Sequence, residues 1–338
     1  MTGSPALPPI PLSVLDIAQV ERGRPAARSL ATVRELARRA EELHFKRFWV
    51  AEHHNAPGVA SSSPAVLLAA IGAVTERIRI GSGGVMLPNH APLVVAEAFG
   101  TLGTLFAGRV DLGIGRAPGT DAAVASALRR LPAEAYADEL GDLLSFVTGS
   151  FPESHPYRGI TALPAPPAPP EVWLLGSSVS SAVMAGERGL PYAFAQHFFG
   201  ARGAEEALLA YRAAFRPSVL LATPHALLTV HTVCGEDDAH AHHLAAPAVA
   251  SALQVDGLVR AEPLPSPEDA AALDWPDKER EYAAELLAEQ AVGGPESVRR
   301  RLGALIGETA PDELMITNNV TDPKEKLRSL ERVRELFV

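Results

Sequence analysis

A chain of 338 residues is long enough for one large α/β barrel or two ordinary domains, and 47% hydrophobic with 21% charged residues suits a closed globular core. Its 30 Lys and Arg against 40 Asp and Glu leave a net charge of −10, which argues against nucleic-acid or anionic-membrane partners. The single cysteine, Cys234, excludes an internal disulfide and a cysteine-built metal centre. No apolar run approaches the ~18 residues of a membrane helix. The opening MTGSPALPPI lacks the charged head and apolar core of a signal peptide, so a cytoplasmic enzyme is the expectation.

Residues 1–10 read as a flexible tail and 11–338 as a single domain. A first strand covers 12–17 with Asp16 near its carboxyl end, and a helix over 29–43 follows, with Ser29 placed to cap it. The second strand, 48–51, runs into Glu52-His53-His54-Asn55, and Ser63-Pro64 opens a helix through residue 75. Ile78 and Ile80 alternate with Arg77 and Arg79 until Gly81-Ser82-Gly83-Gly84 breaks the two-residue period. Helical spacing covers 92–106, and Val110, Leu112 and Ile114 form a strand that delivers Arg116 to its end. Residues 121–147 are mostly helical, interrupted near Pro132, and the proline-rich 159–170 is a connector.

Strands at 171–175, 192–195, 227–233 and 313–317 complete the set, with helices opening at Gly176-Ser177-Ser178-Val179-Ser180-Ser181 and covering 201–215, 278–291, 297–307 and 323–336. Eight strands, each followed by helix, predict an α/β fold closed as a (β/α)8 TIM barrel, an open doubly wound sheet being the alternative. The active site of such a barrel lies at the carboxyl ends of its strands. Those ends hold Asp16, residues 52–55, Gly81 to Met86, Gly115-Arg116, residues 176–181, Gln196-His197 and residues 317–319.

Gly113-Ile114-Gly115-Arg116-Ala117-Pro118-Gly119 is not a dinucleotide fingerprint, because its spacing is GxGxxxG and Pro118 stands where the phosphate-binding helix should begin. It reads instead as a glycine-lined strand end that lets Arg116 reach a phosphate, or as a surface arginine paired with a carboxylate. The serines of 176–181 sit where helix amides attract an anion, or merely cap the helix. With Arg116 offered by the adjacent strand, a monophosphate is the favoured ligand. Adjacent histidines on a strand point to opposite faces, so at most one of His53 and His54 looks into the barrel mouth. The other strand ends offer no further metal ligands, and no metal is expected. A neutral imidazole as hydrogen-bonder or proton shuttle fits better, with a structural histidine as the bland alternative. His240, His242 and His243 read as a solvated helix face, and Cys234 as a small buried apolar residue.

Six segments together resemble the bacterial-luciferase-like flavin monooxygenases, in their non-luminescent AEHHN/GRAPGTD group: LDIA at 15–18, WVAEHHN at 49–55, RIGSGGVMLPNHAP at 79–92, GRVDLGIGRAPGTD at 108–121, LLGSSVSSA at 174–182 and GGPESVRRRL at 293–302. The resemblance implies reduced FMN as cofactor, a homodimer, and a two-component monooxygenase served by a separate NAD(P)H:flavin reductase. It places Arg116, Ser178 and Ser181 on the FMN phosphate with Ser177 backbone and Gly176 beside them, and counts Asp16 with the cofactor-binding set. It puts His53 near the ring as the catalytic residue and a non-proline cis peptide beneath the ring at Gly83-Gly84, and makes residues 258–281 a mobile lid. Luciferase itself has a cysteine where this chain has Gly115, and it differs after the sixth strand, so neither that thiol nor light emission is expected here. The rival expectations are an F420-dependent oxidoreductase on the same barrel and a flavin-binding protein without turnover.

Overall fold

Eight segments of alternating or continuous apolar residues pair edge to edge: β1 (Leu12–Asp16), β2 (Arg47–Val50), β3 (Arg79–Met86), β4 (Val110–Gly115), β5 (Glu171–Gly176), β6 (Tyr192–Ala195), β7 (Ala226–Cys234) and, after the short β8 (Ala291–Gly293), β9 (Glu313–Thr317). In this computed structural model, which describes residues 7–116, 122–128, 132–198, 203–255, 261–274 and 276–338, β1 to β7 and β9 form one closed parallel ring. The helices between them are α1 (Ala26–Glu42), α2 (Pro64–Gly72), α3 (Pro92–Leu105), α4 (Ala122–Ala127), α5 (Tyr136–Thr148), α6 (Val179–Glu187), α7 (Ala204–Ala214), α8 (Asp238–Val255), α9 (Pro267–Ala271), α10 (Asp277–Ala288), α11 (Pro295–Thr309) and α12 (Pro323–Glu335). The fold is the expected (β/α)8 barrel.

Large and small side chains share the barrel lumen. Trp49 and Trp173 meet edge to face at 5.4 Å, among Leu15, Ala51, Ala193, Leu227 and Met315. Room for the Trp49 ring comes from Gly81, where a Cβ would lie 2.6 Å from the indole nitrogen. At the amino-terminal end of the lumen Arg47, 1% exposed, bonds Glu313 at 2.7 Å and Asp111 at 2.6 Å and lies 4.6 Å over Trp173.

Four details depart from the expectations. Ser29 does not cap α1, which begins at Ala26 after Pro25; its hydroxyl donates to the Gln19 carbonyl at 2.6 Å instead. The glycines do not end β3, which continues to Met86 with a register shift against β4 between Ser82 and Val85, around a cis Gly83–Gly84 peptide. Strand β8 carries little sequence signal and forms because β7 outlasts β9: Thr232 to Cys234 pair with it beyond His231, where the β9 ladder stops. Within the expected tail, Leu7 is buried and its N–H reaches the Leu336 carbonyl, while residues 1–6 lie outside the described set.

Candidate active site

Side-chain parity carries the lumen up to the mouth. Trp49 points inward on β2, with Ala51 and then His53 just beyond its end; Ala193 and Ala195 on β6 precede a turn that holds His197; Leu227 on β7 leads through Thr229 to His231. Ala195 and Thr229 are register partners, so His197 and His231 face one another just beyond. The His53 backbone is pinned by its N–H to the Ser61 carbonyl at 2.9 Å, and the Ser61 hydroxyl bonds the Ala51 carbonyl.

All three imidazoles are held neutral. Burial pushes His197 down to about 3, helped by His231 and His53, and pushes His231 down to about 4, helped by the Lys326 ammonium. Burial also lowers His53, against the nearby Glu52 carboxylate. His231 Nε2 accepts the Asn319 N–H at 3.3 Å from the end of β9.

Behind His53, Glu52 is 1% exposed and accepts from His54 Nε2 at 2.8 Å, His90 Nε2 at 2.7 Å and the Met86 N–H at 3.1 Å. Burial raises its pKa, but these partners outweigh burial and hold the carboxyl below its ordinary range, while the same carboxylate raises His90. Among the described residues, Glu52, His54 and His90 form the group whose ligand atoms lie close enough to share a metal ion, within 4.8 Å.

Arg116 lies exposed at the end of β4, within electrostatic reach of Tyr136; the rest of its loop, 117–121, is outside the described residues. Next to β4, β5 leads through Gly176 and Ser177 to the cap of α6. There Ser178 accepts the Ser181 N–H at 3.3 Å, Ser181 donates to the Ser178 carbonyl at 2.7 Å, and the Ser181 hydroxyl meets the Tyr192 hydroxyl at 2.8 Å. The serines therefore do cap the helix. Gly176 is obligatory beside this cap, because a Cβ there would lie 2.1 Å from Ser181 Oγ.

Asp16 is engaged elsewhere. Its carboxylate takes the Lys326 ammonium at 2.5 Å and the Ala18 N–H at 2.6 Å, tying β1 to α12. Of the expected lid, residues 258–260 and 275 lie outside the described set. Residues 261–274 pack on the loop after β1, where Leu264 exchanges backbone hydrogen bonds with Val20 and Arg22. His231, on β7, is legible from strand parity, whereas His90 and His197 lie outside strands and only the closed barrel shows where they sit.

Barrel closure, neutral histidines at the mouth and glycines beneath them define a barrel enzyme with its site at the strand ends. The chain belongs to the luciferase-like monooxygenase family, whose profile matches residues 11–312. It is 36% identical over 327 residues to a luciferase-like monooxygenase of Escherichia coli (strain K12), covering 95% of each chain. It is 40% identical over 209 residues to the N-acetyl-S-alkylcysteine monooxygenase of Bacillus subtilis (strain 168), covering 61% of this chain and 62% of that one. The crystal structure of apo-MsnO8 superposes with a TM-score of 0.86 at 37% identity, covering 97% of both chains. No helix among the described residues is long and apolar enough to cross a membrane.

Proposed function

We propose that this chain is an FMN-dependent monooxygenase that oxidises a small organic substrate with O2, using FMN reduced by a separate NAD(P)H:flavin reductase. The observation that carries the reading is the convergence of His53, His197 and His231, all neutral and inward, at a mouth whose next strand ends offer Arg116 and the α6 amino terminus. The residues fit a phosphorylated flavin. Arg116 supplies an exposed cation on β4 and α6 an anion-favouring helix end on the adjacent β5. Gly83 and Gly84 provide a backbone floor without side chains, since a Cβ on Gly84 would lie 2.8 Å from the Gly113 carbonyl oxygen.

The chemistry that reduced FMN would supply there is activation of O2. The protein's part is binding and exclusion. Arg116, the Ser177 backbone, Ser178 and Ser181 would hold the phosphate, the two serines by exchanging bonds they make within the α6 cap. The glycines let the main chain approach a planar ring. Neutral His53 gives or takes a hydrogen bond beside it without adding charge to the mouth, and the tryptophan-filled lumen closes the site to water from below.

We assign the chain to the cytoplasm and to a homodimer. Support for the dimer comes from α2 and α3, which leave Val66 72% exposed, Val94 59% exposed and Leu105 62% exposed. The test is anaerobic titration with reduced FMN or reduced F420, followed by air and a panel of thioethers that includes N-acetyl-S-alkylcysteines. Oxygenated product formed only when protein, substrate and reduced FMN are together is the expected outcome, because free reduced FMN consumes O2 unaided. Turnover with reduced F420 and no oxygen incorporation, or tight binding of oxidised FMN with no oxygenated product, would replace this reading.

A further inference from the structure

The buried Nδ1 of His197 has no hydrogen-bond partner among the described residues, although it sits at the mouth between His53 and His231. The other side of the same ring engages the Thr229 carbonyl, which fixes the proton on Nε2 and leaves Nδ1 a bare lone pair. A buried acceptor without a donor is destabilising, and nothing in the packing requires one here: Ala195, at the end of β6, is apolar. The position is also rigid. The Gln196 carbonyl beside it accepts from Gln290 at 3.2 Å, and Gln290 in turn accepts the His231 N–H at 3.3 Å, so β6, β7 and the start of β8 hold the ring together.

We propose that His197 Nδ1 is the substrate-recognition acceptor of this site, selecting organic substrates that present a neutral hydrogen-bond donor, a hydroxyl or an amide N–H. The phosphate-holding groups lie at the ends of β4 and β5 and the glycine floor on β3, which leaves the wall made by β6, β7 and β9 to the substrate. A neutral partner matches a neutral imidazole, whereas a cationic donor would enter beside the Lys326 charge felt by His231. The nitrogen is covered in the unliganded chain, and the exposed Phe198 ring packed 4.5 Å from the imidazole is the described neighbour able to swing aside. The inference rests on the barrel mouth being the substrate site and deepens that reading by naming the substrate class.

The test uses small solvent probes that enter any cavity, so the natural substrate need not be known. In full-length protein with 15N-labelled imidazoles, the His197 Nδ1 resonance is assigned by its loss in His197→Asn. With 2-propanol and with acetamide it should move upfield, as a lone pair does on accepting a hydrogen bond. With 2-methoxypropane and N,N-dimethylacetamide it should stay in place. In binding, wild type should prefer the donor probes about tenfold, the worth of one neutral hydrogen bond. His197→Asn, which keeps an acceptor oxygen, should retain part of that preference, and His197→Phe should lose it. Equal shifts for donor and methylated probes, no shift with any probe, or a shift produced by FMN alone each overturn the proposal, the last by giving the acceptor to the cofactor. Wild-type protein that fails to bind FMN but shows the probe-selective shift would sink the flavin reading and leave this one standing.

Discussion

Glu52 Oε1 lies 2.7 Å from His90 Nε2, joining the end of β2 to the turn that follows β3 and so bracing the glycine floor from behind. The ion pair makes both residues titrate together. His90 has a raised pKa in the fold, so its contribution is present below its unfolded value and is lost as pH rises through the folded one. Glu52 has a lowered pKa, so its contribution is present above its unfolded value and is lost as pH falls through the folded one. Glu52→Gln should bring the His90 midpoint down to or below the free imidazole value, read by NMR titration. An unmoved midpoint would mean that another group sets the His90 charge.

The lumen's buried charges make the second prediction. Arg47 neutralises Glu313 and Asp111 in a layer where Glu313 and Asp111 are fully buried. Arg47→Ala should cost about 1.5–3 kcal/mol in urea unfolding, because it removes charged hydrogen bonds from two buried carboxylates that keep only Lys46 and Arg79 as cations. A loss below about 1 kcal/mol would show that water enters the layer and screens them.

Acid should destabilise the protein in two stages. His197 and His231 titrate in the fold at about 3 and about 4, below the free imidazole value near 6.5. Their stabilisation is complete above that free value and drains away as pH falls towards the folded values. Glu313, whose pKa is also lowered, adds a further loss below the ordinary carboxylate range. The melting temperature measured against pH should therefore begin to fall near pH 6.5, with a steeper fall below about 4.5. His231→Gln should flatten the upper stage, and a flat profile down to pH 5 in the wild type would contradict it.

Gly84→Ala places a methyl group 2.8 Å from a backbone oxygen that belongs to a strand, not to a side chain that can turn away. Overpacking of this kind costs about 1–3 kcal/mol. The variant should melt earlier and bind FMN more weakly, as calorimetry and fluorescence quenching would report, whereas unchanged values for both would show that β3 and β4 part easily.

Arg116→Ala should weaken FMN far more than riboflavin, by at least tenfold in the ratio of dissociation constants, since a charge-assisted contact to phosphate is worth about 1.5–3 kcal/mol. Equal losses for the two ligands would put the phosphate somewhere other than the ends of β4 and β5.

The sequence by itself determined the number and order of the eight barrel strands, the parallel barrel, the proline-started helices and the strand ends that carry Arg116, the serines and the histidine pair. These follow from periodicity and from glycine and proline placement, which act over a few residues. The spacing RFWV to AEHHN to SGG contained the mouth, because inward and outward positions alternate along any strand. Only the tertiary structure decided which polar groups are occupied. Asp16 looks like a ligand in sequence until Lys326, more than three hundred positions away, closes on it. Ser178 and Ser181 look free until each is found bonded to the other and to Tyr192. His197 reads as one more loop residue until the ring of strands brings it between His53 and His231 and leaves its Nδ1 without a donor among the described residues. Local pattern sets where backbone goes; satisfaction of a buried polar atom depends on partners that meet only when the barrel closes.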